Sequence, residues 1–188
     1  MDETLYLFTN YFPFGNTTEV PFLTNELIYL NREFENIVLV PQYKNSDSEL
    51  KSDKYTVDLG LIEESSKRNR RAIFLLFNKE IIHEILLLIR RGKIANIRRL
   101  WWSLITISKA VKWVKRNVKS DEPIIFYTYW FTDLTTGLAL AKKNKPNISL
   151  ISRAHGYDLY EERTSFRWID PMDAITQVTY DPSDKHRS

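Results

Sequence analysis

The 188-residue chain has no cysteine. That excludes disulfides and thiolate zinc sites together, and it suits a reducing compartment. A long uncharged apolar run is missing as well. The most apolar stretch, residues 73–89, carries Asn78, Lys79, Glu80, His83 and Glu84. A membrane-spanning helix would have to bury those charges, so none is expected. No secretory leader is expected either, because Asp2 and Glu3 stand where basic residues are needed and residues 5–9 are too short for its apolar core. The spacing of His, Asp and Glu fits no metal site, and neither a metal nor a cofactor is expected. Acidic residues nearly vanish between positions 67 and 119, where fifteen Lys/Arg meet only Glu80 and Glu84. That segment carries a net +13 in a chain whose formal charge is +3. Such segregation points to an anionic partner or surface.

What is present reads as one α/β domain. Short apolar runs bounded by turn residues predict strands at 5–9, 37–40, 56–60, 124–129 and 148–152. Helical spacing is predicted over 20–34, 74–90, 94–118 and 133–144. On the first of these helices Phe22, Leu23, Leu27, Leu30 and Phe34 are expected to share one face. The alternation implies a three-layer α/β/α, Rossmann-like domain with a mainly parallel sheet. It is expected to span residues 1–170, with 171–188 a polar tail that is either disordered or not native to the domain's family.

Ligands of open α/β sheets gather at the carboxyl ends of the strands. Three loops are predicted to lie there. In the first, Gly15 either makes a plain tight turn or lets the backbone approach a ligand, with the next helix start offering N–H groups to an anion. The second, Tyr127 to Asp133, can form an aromatic floor for a sugar ring. Alternatively, Tyr129 and Phe131 are core and Asp133 caps the following helix. In the third, His155 lies between Arg153 and Asp158, which reads equally as a structural turn and as a pocket for a phosphorylated ligand.

These loops also carry a resemblance. Phe12-Pro13-Phe14-Gly15-Asn16-Thr17-Thr18-Glu19, running on to Phe22 and Glu26, resembles the amino-terminal signature of the family-4 glycosyltransferases. There, an aromatic-Pro-x-Gly loop leads into a helix with a Phe-x-x-x-Glu pattern. Tyr127-Thr128-Tyr129-Trp130 looks like that family's central strand. Ser152-Arg153-Ala154-His155-Gly156-Tyr157-Asp158 is similar to the segment closing its first domain in a bacterial subgroup. The resemblance implies the amino-terminal, acceptor-side half of a retaining glycosyltransferase of the two-domain GT-B architecture. Such an enzyme moves a sugar from a nucleotide-sugar donor to a glycan or lipid-linked acceptor in polysaccharide or cell-surface glycan biosynthesis. It implies Gly15 and Asn16 on the donor side and His155 as a sugar-positioning group. Glu19, Tyr129, Trp130, Arg153 and Asp158 would line the acceptor side. The family's second domain brings a Lys/Arg and a pair of glutamates, and residues 171–188 contain no glutamate. That nucleotide-sugar-binding domain is therefore expected to be absent, with the donor bound only alongside it and the chain alone inactive.

The helix at 94–118 supports a second expectation. Ile97, Leu100, Leu104, Ile107, Val111, Val114 and Val118 form an apolar stripe, while Trp102 and Trp113 fall opposite it beside Arg98, Lys109 and Arg116. Tryptophan among cations on an outward face is the pattern of an anchor on anionic lipid. Alternatively, both tryptophans pack beneath the first basic helix and the cations only solvate the surface. The runner-up reading is thus a non-catalytic truncated domain that docks a membrane or protein through these five residues. The location expected is cytoplasmic, peripheral at the inner membrane face if that helix docks. No nucleic-acid partner is expected, since no recognised binding module is present.

Overall fold

The computed structural model describes residues 3–65, 79–90, 97–119, 122–154 and 177–180. The elements are β1 (Thr4–Thr9), α1 (Val20–Glu33), β2 (Asn36–Pro41), β3 (Thr56–Val57) and α2 (Gly60–Ser65). There follow α3 (Lys79–Arg90), α4 (Ile97–Asn117), β4 (Ile124–Thr128), α5 (Asp133–Lys142), β5 (Ile148–Ala154) and β6 (Gln177–Tyr180). The sheet order is β3-β2-β1-β4-β5, extended at its edge by β6, and every pair is parallel. The Rossmann-like expectation holds.

Burial on both faces explains the strand sequences, which are near-continuous apolar runs. Leu5 and Leu7 of β1 face the α1 layer with Ile37 and Leu39, sealed by Leu23 and Leu27 of α1. Phe8, Val40, Phe126 and Leu150 face the other layer, where α4 and α5 supply Ala110, Trp113, Val114, Leu134 and Leu138. The two helices of that layer pack closely at Gly137. A Cβ there would lie 2.6 Å from Ala110 Cβ and 2.8 Å from the Ile107 carbonyl oxygen.

Four sequence expectations change. Phe22 is 61% exposed, not part of the buried face of α1. Leu23, Leu27, Leu30 and Phe34 cluster within about 60° of rotation, and Phe22 falls about 110° from their centre. The strand expected at 56–60 stops at Val57, because Asp58 Oδ1 accepts the Gly60 N–H at 2.6 Å and starts α2. Part of the presumed tail is β6, whose Val178, Thr179 and Tyr180 are strong strand formers hidden in a polar stretch.

The fourth change concerns Trp113, which is 1% exposed. Its ring meets Tyr6, Phe8 and Phe126 edge-on at 5.4, 5.2 and 6.0 Å, and its Nε1–H donates to Asp58 Oδ1 at 3.3 Å. Trp102, on almost the same side of α4, is 60% exposed. The reason is position along the axis. The carboxyl half of α4 lies over the sheet and against α2, so its buried arc widens beyond the apolar stripe; the amino half extends past that cover. No helix among the described residues is long and apolar enough to cross a membrane.

The contrast is measurable by urea unfolding. Trp113→Ala should cost about 3–5 kcal/mol, the range for deleting a buried large aromatic. Trp102→Ala should stay within about 0.5 kcal/mol of the parent, as surface changes do. Equal costs would contradict the packing described.

Candidate functional site at the carboxyl edge of the sheet

Strand order reverses direction between β1 and β4, which makes the crevice beyond their carboxyl ends the preferred ligand position of this architecture. Phe8 extends the β1–β4 ladder by accepting the Tyr129 N–H at 3.0 Å, and the chain then turns outward in both places. Into this crevice the start of α1 delivers Glu19.

Glu19 is 3% exposed, and its carboxylate is occupied. Oε1 accepts the Asn10 N–H at 2.9 Å; Oε2 accepts those of Tyr11 and Phe12 at 2.8 and 3.0 Å. The Trp130 indole N–H donates to Oε1 as well. Three successive amides in a loop make an anion-binding concavity. Here the protein fills it with its own carboxylate, and that carboxylate also ties the loop after β1 to the loop after β4. Glu19, expected to line the acceptor side, faces inward as the bond between two loops.

Gly15 has φ +71°, a conformation that suits glycine. What approaches it closely is Asn45, whose Oδ1 would lie 2.7 Å from an added Cβ. The Gly15 N–H donates to the Ser48 carbonyl at 2.9 Å, and the Pro13 carbonyl accepts the Leu50 N–H at 3.0 Å. The loop is thus braced by residues 45–50, leaving Asn16 exposed at its tip. The amides expected at the start of α1 are partly unavailable: Val20 N–H donates to the Thr17 carbonyl, and Pro21 has none. Thr17 Oγ1 is a buried polar atom without a hydrogen-bond partner among the described residues.

The second loop is ordered by hydroxyls. Thr135 Oγ1 accepts the Thr132 N–H at 3.2 Å and lies 3.0 Å from the Trp130 carbonyl oxygen and 3.1 Å from Thr128 Oγ1. Thr128 donates onward to Ser152 Oγ on β5 at 2.7 Å. All three hydroxyl residues are buried, so this column fixes β4, β5 and the start of α5 as one unit. The cap of α5 is Thr132, one residue before the Asp133 that the sequence suggested. Asp133 Oδ2 instead accepts from Ser103 Oγ of α4 at 2.7 Å. Tyr129 is 2% exposed and stands edge-on to half-buried Trp130, with ring centroids 5.3 Å apart. Its burial follows the core alternative, and it offers no open stacking face.

The third loop is described as far as Ala154. Arg153 Nη1 donates to Glu26 Oε2 at 3.0 Å, and its guanidinium lies 5.2 Å from the centre of the Tyr129 ring. The Tyr127 hydroxyl donates to the other oxygen of Glu26. Burial, then the Glu26 carboxylate, push the Tyr127 pKa well above the ordinary phenol range, with Arg153 opposing. His155 and Asp158 lie outside the described residues.

Gly15, Asn16, Glu19, Tyr129, Trp130 and Arg153 therefore share one edge. The five residues expected on the basic helix do not form one surface. Trp113 is core, which removes it as an anchor. Burial covers about half of Lys109 and lowers its pKa. Arg116 is exposed some 20 Å along the axis from Trp102 at 1.5 Å per residue. The side chain of Arg98 lies outside the described residues.

Sequence reasoning missed Glu26 as a site residue although it closes the Phe-x-x-x-Glu pattern. It also missed Tyr43, which stacks at 5.5 Å against Tyr11 on this rim. A tyrosine in a polar loop gives no periodic signal. Among the described residues, a cavity of about 550 Å³ opens away from this edge beside Ile28, Arg32 and Asp53, and one of about 440 Å³ adjoins the first loop beside Phe14, Glu49 and Tyr55. Among the described residues, no cluster of His, Asp and Glu could hold a metal. No family model, curated protein or solved structure matches the chain.

Glu19→Gln keeps the shape but gives one oxygen position two N–H donors, which cannot accept. It should cost about 1.5–3 kcal/mol in urea unfolding, the range for hydrogen bonds to a charged group. A cost like that of a surface acid would contradict the clamp. Tyr127 gives a pH prediction. Its folded pKa lies above the value near 10 of the unfolded chain, so above pH ~10 the unfolded state binds fewer protons and stability falls. Stability plotted against pH should fall less steeply for Tyr127→Phe over pH ~9–11.5. That pairing cancels groups such as Lys109, whose lowered pKa works in the opposite sense. Parallel curves would contradict the assignment.

Proposed function

We propose that this domain is the acceptor-side half of a retaining, GT-B glycosyltransferase cleft. It would hold a glycan or lipid-linked acceptor while a second domain presents the nucleotide-sugar. The observation that carries the reading is the convergence of the loops after β1 and β4 and the carboxyl end of β5 on one parallel-sheet edge at the switch point. The sequence motifs that resemble family-4 glycosyltransferases fall on those two loops and begin, for the third, at that strand end.

In this reading the residues divide by the chemistry each brings to the edge. Asn16 stands at the exposed tip of the braced Gly15 loop and meets the transferred sugar or its diphosphate. Half-buried Trp130 provides the apolar surface for an acceptor ring, its indole N–H already held by Glu19. Arg153, charge-balanced by Glu26, meets acceptor hydroxyls. The resemblance assigns His155 a sugar-positioning role and Asp158 an acceptor-side one. Transfer passes through an oxocarbenium-like state, stabilised by electrostatics on the leaving diphosphate from the second domain. The chain works in the cytoplasm, in polysaccharide or cell-surface glycan synthesis.

The test is isotope-edited NMR of the chain titrated with neutral and acidic oligosaccharides, beside an assay with nucleotide-sugars. The expected shifts fall on Asn16, the Trp130 indole and Arg153, with no sugar transfer by the chain alone. Shifts confined to the cavity beside Ile28, Arg32 and Asp53 would overturn the site. Transfer by the chain alone would overturn the half-cleft.

A further inference from the structure

We infer that the outer face of α3, together with the amino-terminal end of α4, docks on an anionic lipid surface. The inference is independent of the glycosyltransferase reading. Of the residues that the sequence pattern favoured it keeps Trp102, and it replaces Lys109, Trp113 and Arg116 with the outer face of α3.

Helix α3 has two apolar stripes. Ile81 and Ile85 pack into a cluster with Leu100, Leu104, Ile107 and Leu140, which seats α3 against α4 and α5. A second stripe, Ile82, Leu86 and Ile89, is 41, 60 and 51% exposed. Its spacing of four and three residues aligns it along about 10 Å of the helix, roughly 85–90° from the buried stripe. A surface helix normally shows one apolar face and one polar one. Here a solvent-facing flank of the helix is aliphatic as well.

Charge specifies what covers it. Projected on α3, Lys79 and Arg90 fall about 50–75° from the centre of the exposed stripe, and both are exposed. Glu80 and Glu84, the only acids between positions 67 and 119, occupy helix positions about 155–165° away from it. The stripe is therefore edged along one side by cations, with the two glutamate positions on the far side of the helix. On α4, which shares the cluster with α3, Trp101 and Trp102 are 38 and 60% exposed. Aliphatic side chains for the acyl boundary, tryptophans for the interface and a net +13 segment for anionic headgroups suit a bilayer surface. Phosphates of a nucleic acid would use the cations and leave the isoleucines and leucine wet.

The experiment is co-sedimentation of the full chain with vesicles of phosphatidylglycerol and phosphatidylcholine, against vesicles of phosphatidylcholine alone. Partitioning should be at least about tenfold stronger on the anionic vesicles and weaken with salt. The double change Leu86→Glu with Trp102→Ala should reduce it by about tenfold or more, with the circular dichroism spectrum unchanged. Quenching of the unaltered chain's tryptophan emission by brominated acyl chains reads the same contact without any substitution. Absent binding, equal binding to both vesicles, unquenched emission, or a double variant that binds as the parent does would each overturn the inference. So would a self-association that the double change abolishes, since a second copy would then be what covers the stripe.

Discussion

A single buried carboxylate sets the geometry of the sheet's carboxyl edge. Glu19 takes N–H donors from Asn10, Tyr11 and Phe12 and from the Trp130 indole, so it has little capacity left for a ligand. A charge at 3% exposure persists only where its hydrogen bonds replace water. The consequence is local rigidity at the point where strand order reverses. The loop after β1 and the loop after β4 become one body. The hydroxyl column of Thr135, Thr128 and Ser152 then joins that body to β5. Asn16, Trp130 and Arg153 are presented from this unit rather than from independent loops.

The same interactions restrict what each residue contributes. Gly15 meets Asn45, and Glu19 meets backbone amides and the Trp130 indole. Arg153 is held between Glu26 and the Tyr129 ring, which orients a guanidinium whose charge is already balanced. Such an arrangement favours neutral, hydroxyl-rich ligands over a bare dianion, because an added anion would compete with Glu26.

The fold was largely legible because a parallel sheet buries both faces, and short continuous apolar runs punctuated by Pro, Gly and Asn show that directly. The three loops of the edge were legible as places for the same reason: their position follows from topology. Individual roles were not. Glu19, Tyr129 and Asp133 are of types that bind ligands, yet burial and partners decide what they do, and neither is periodic in sequence. Trp102 and Trp113 illustrate the limit most clearly. Helical projection puts them about 20° apart, but projection discards position along the axis, and that coordinate separates a solvent-facing end from the core. Strand β6 escaped notice because Gln and Thr on an edge strand resemble a loop in composition.

The central claim is that Glu19 couples two loops across the switch point. A double-mutant cycle of Glu19→Gln and Trp130→Phe, read by urea unfolding, tests it most directly. Their shared hydrogen bond predicts a coupling of about 1 kcal/mol, within the range for contacting partners. Additivity within about 0.3 kcal/mol would mean that the loops are held separately, and the edge described here would not be a single body.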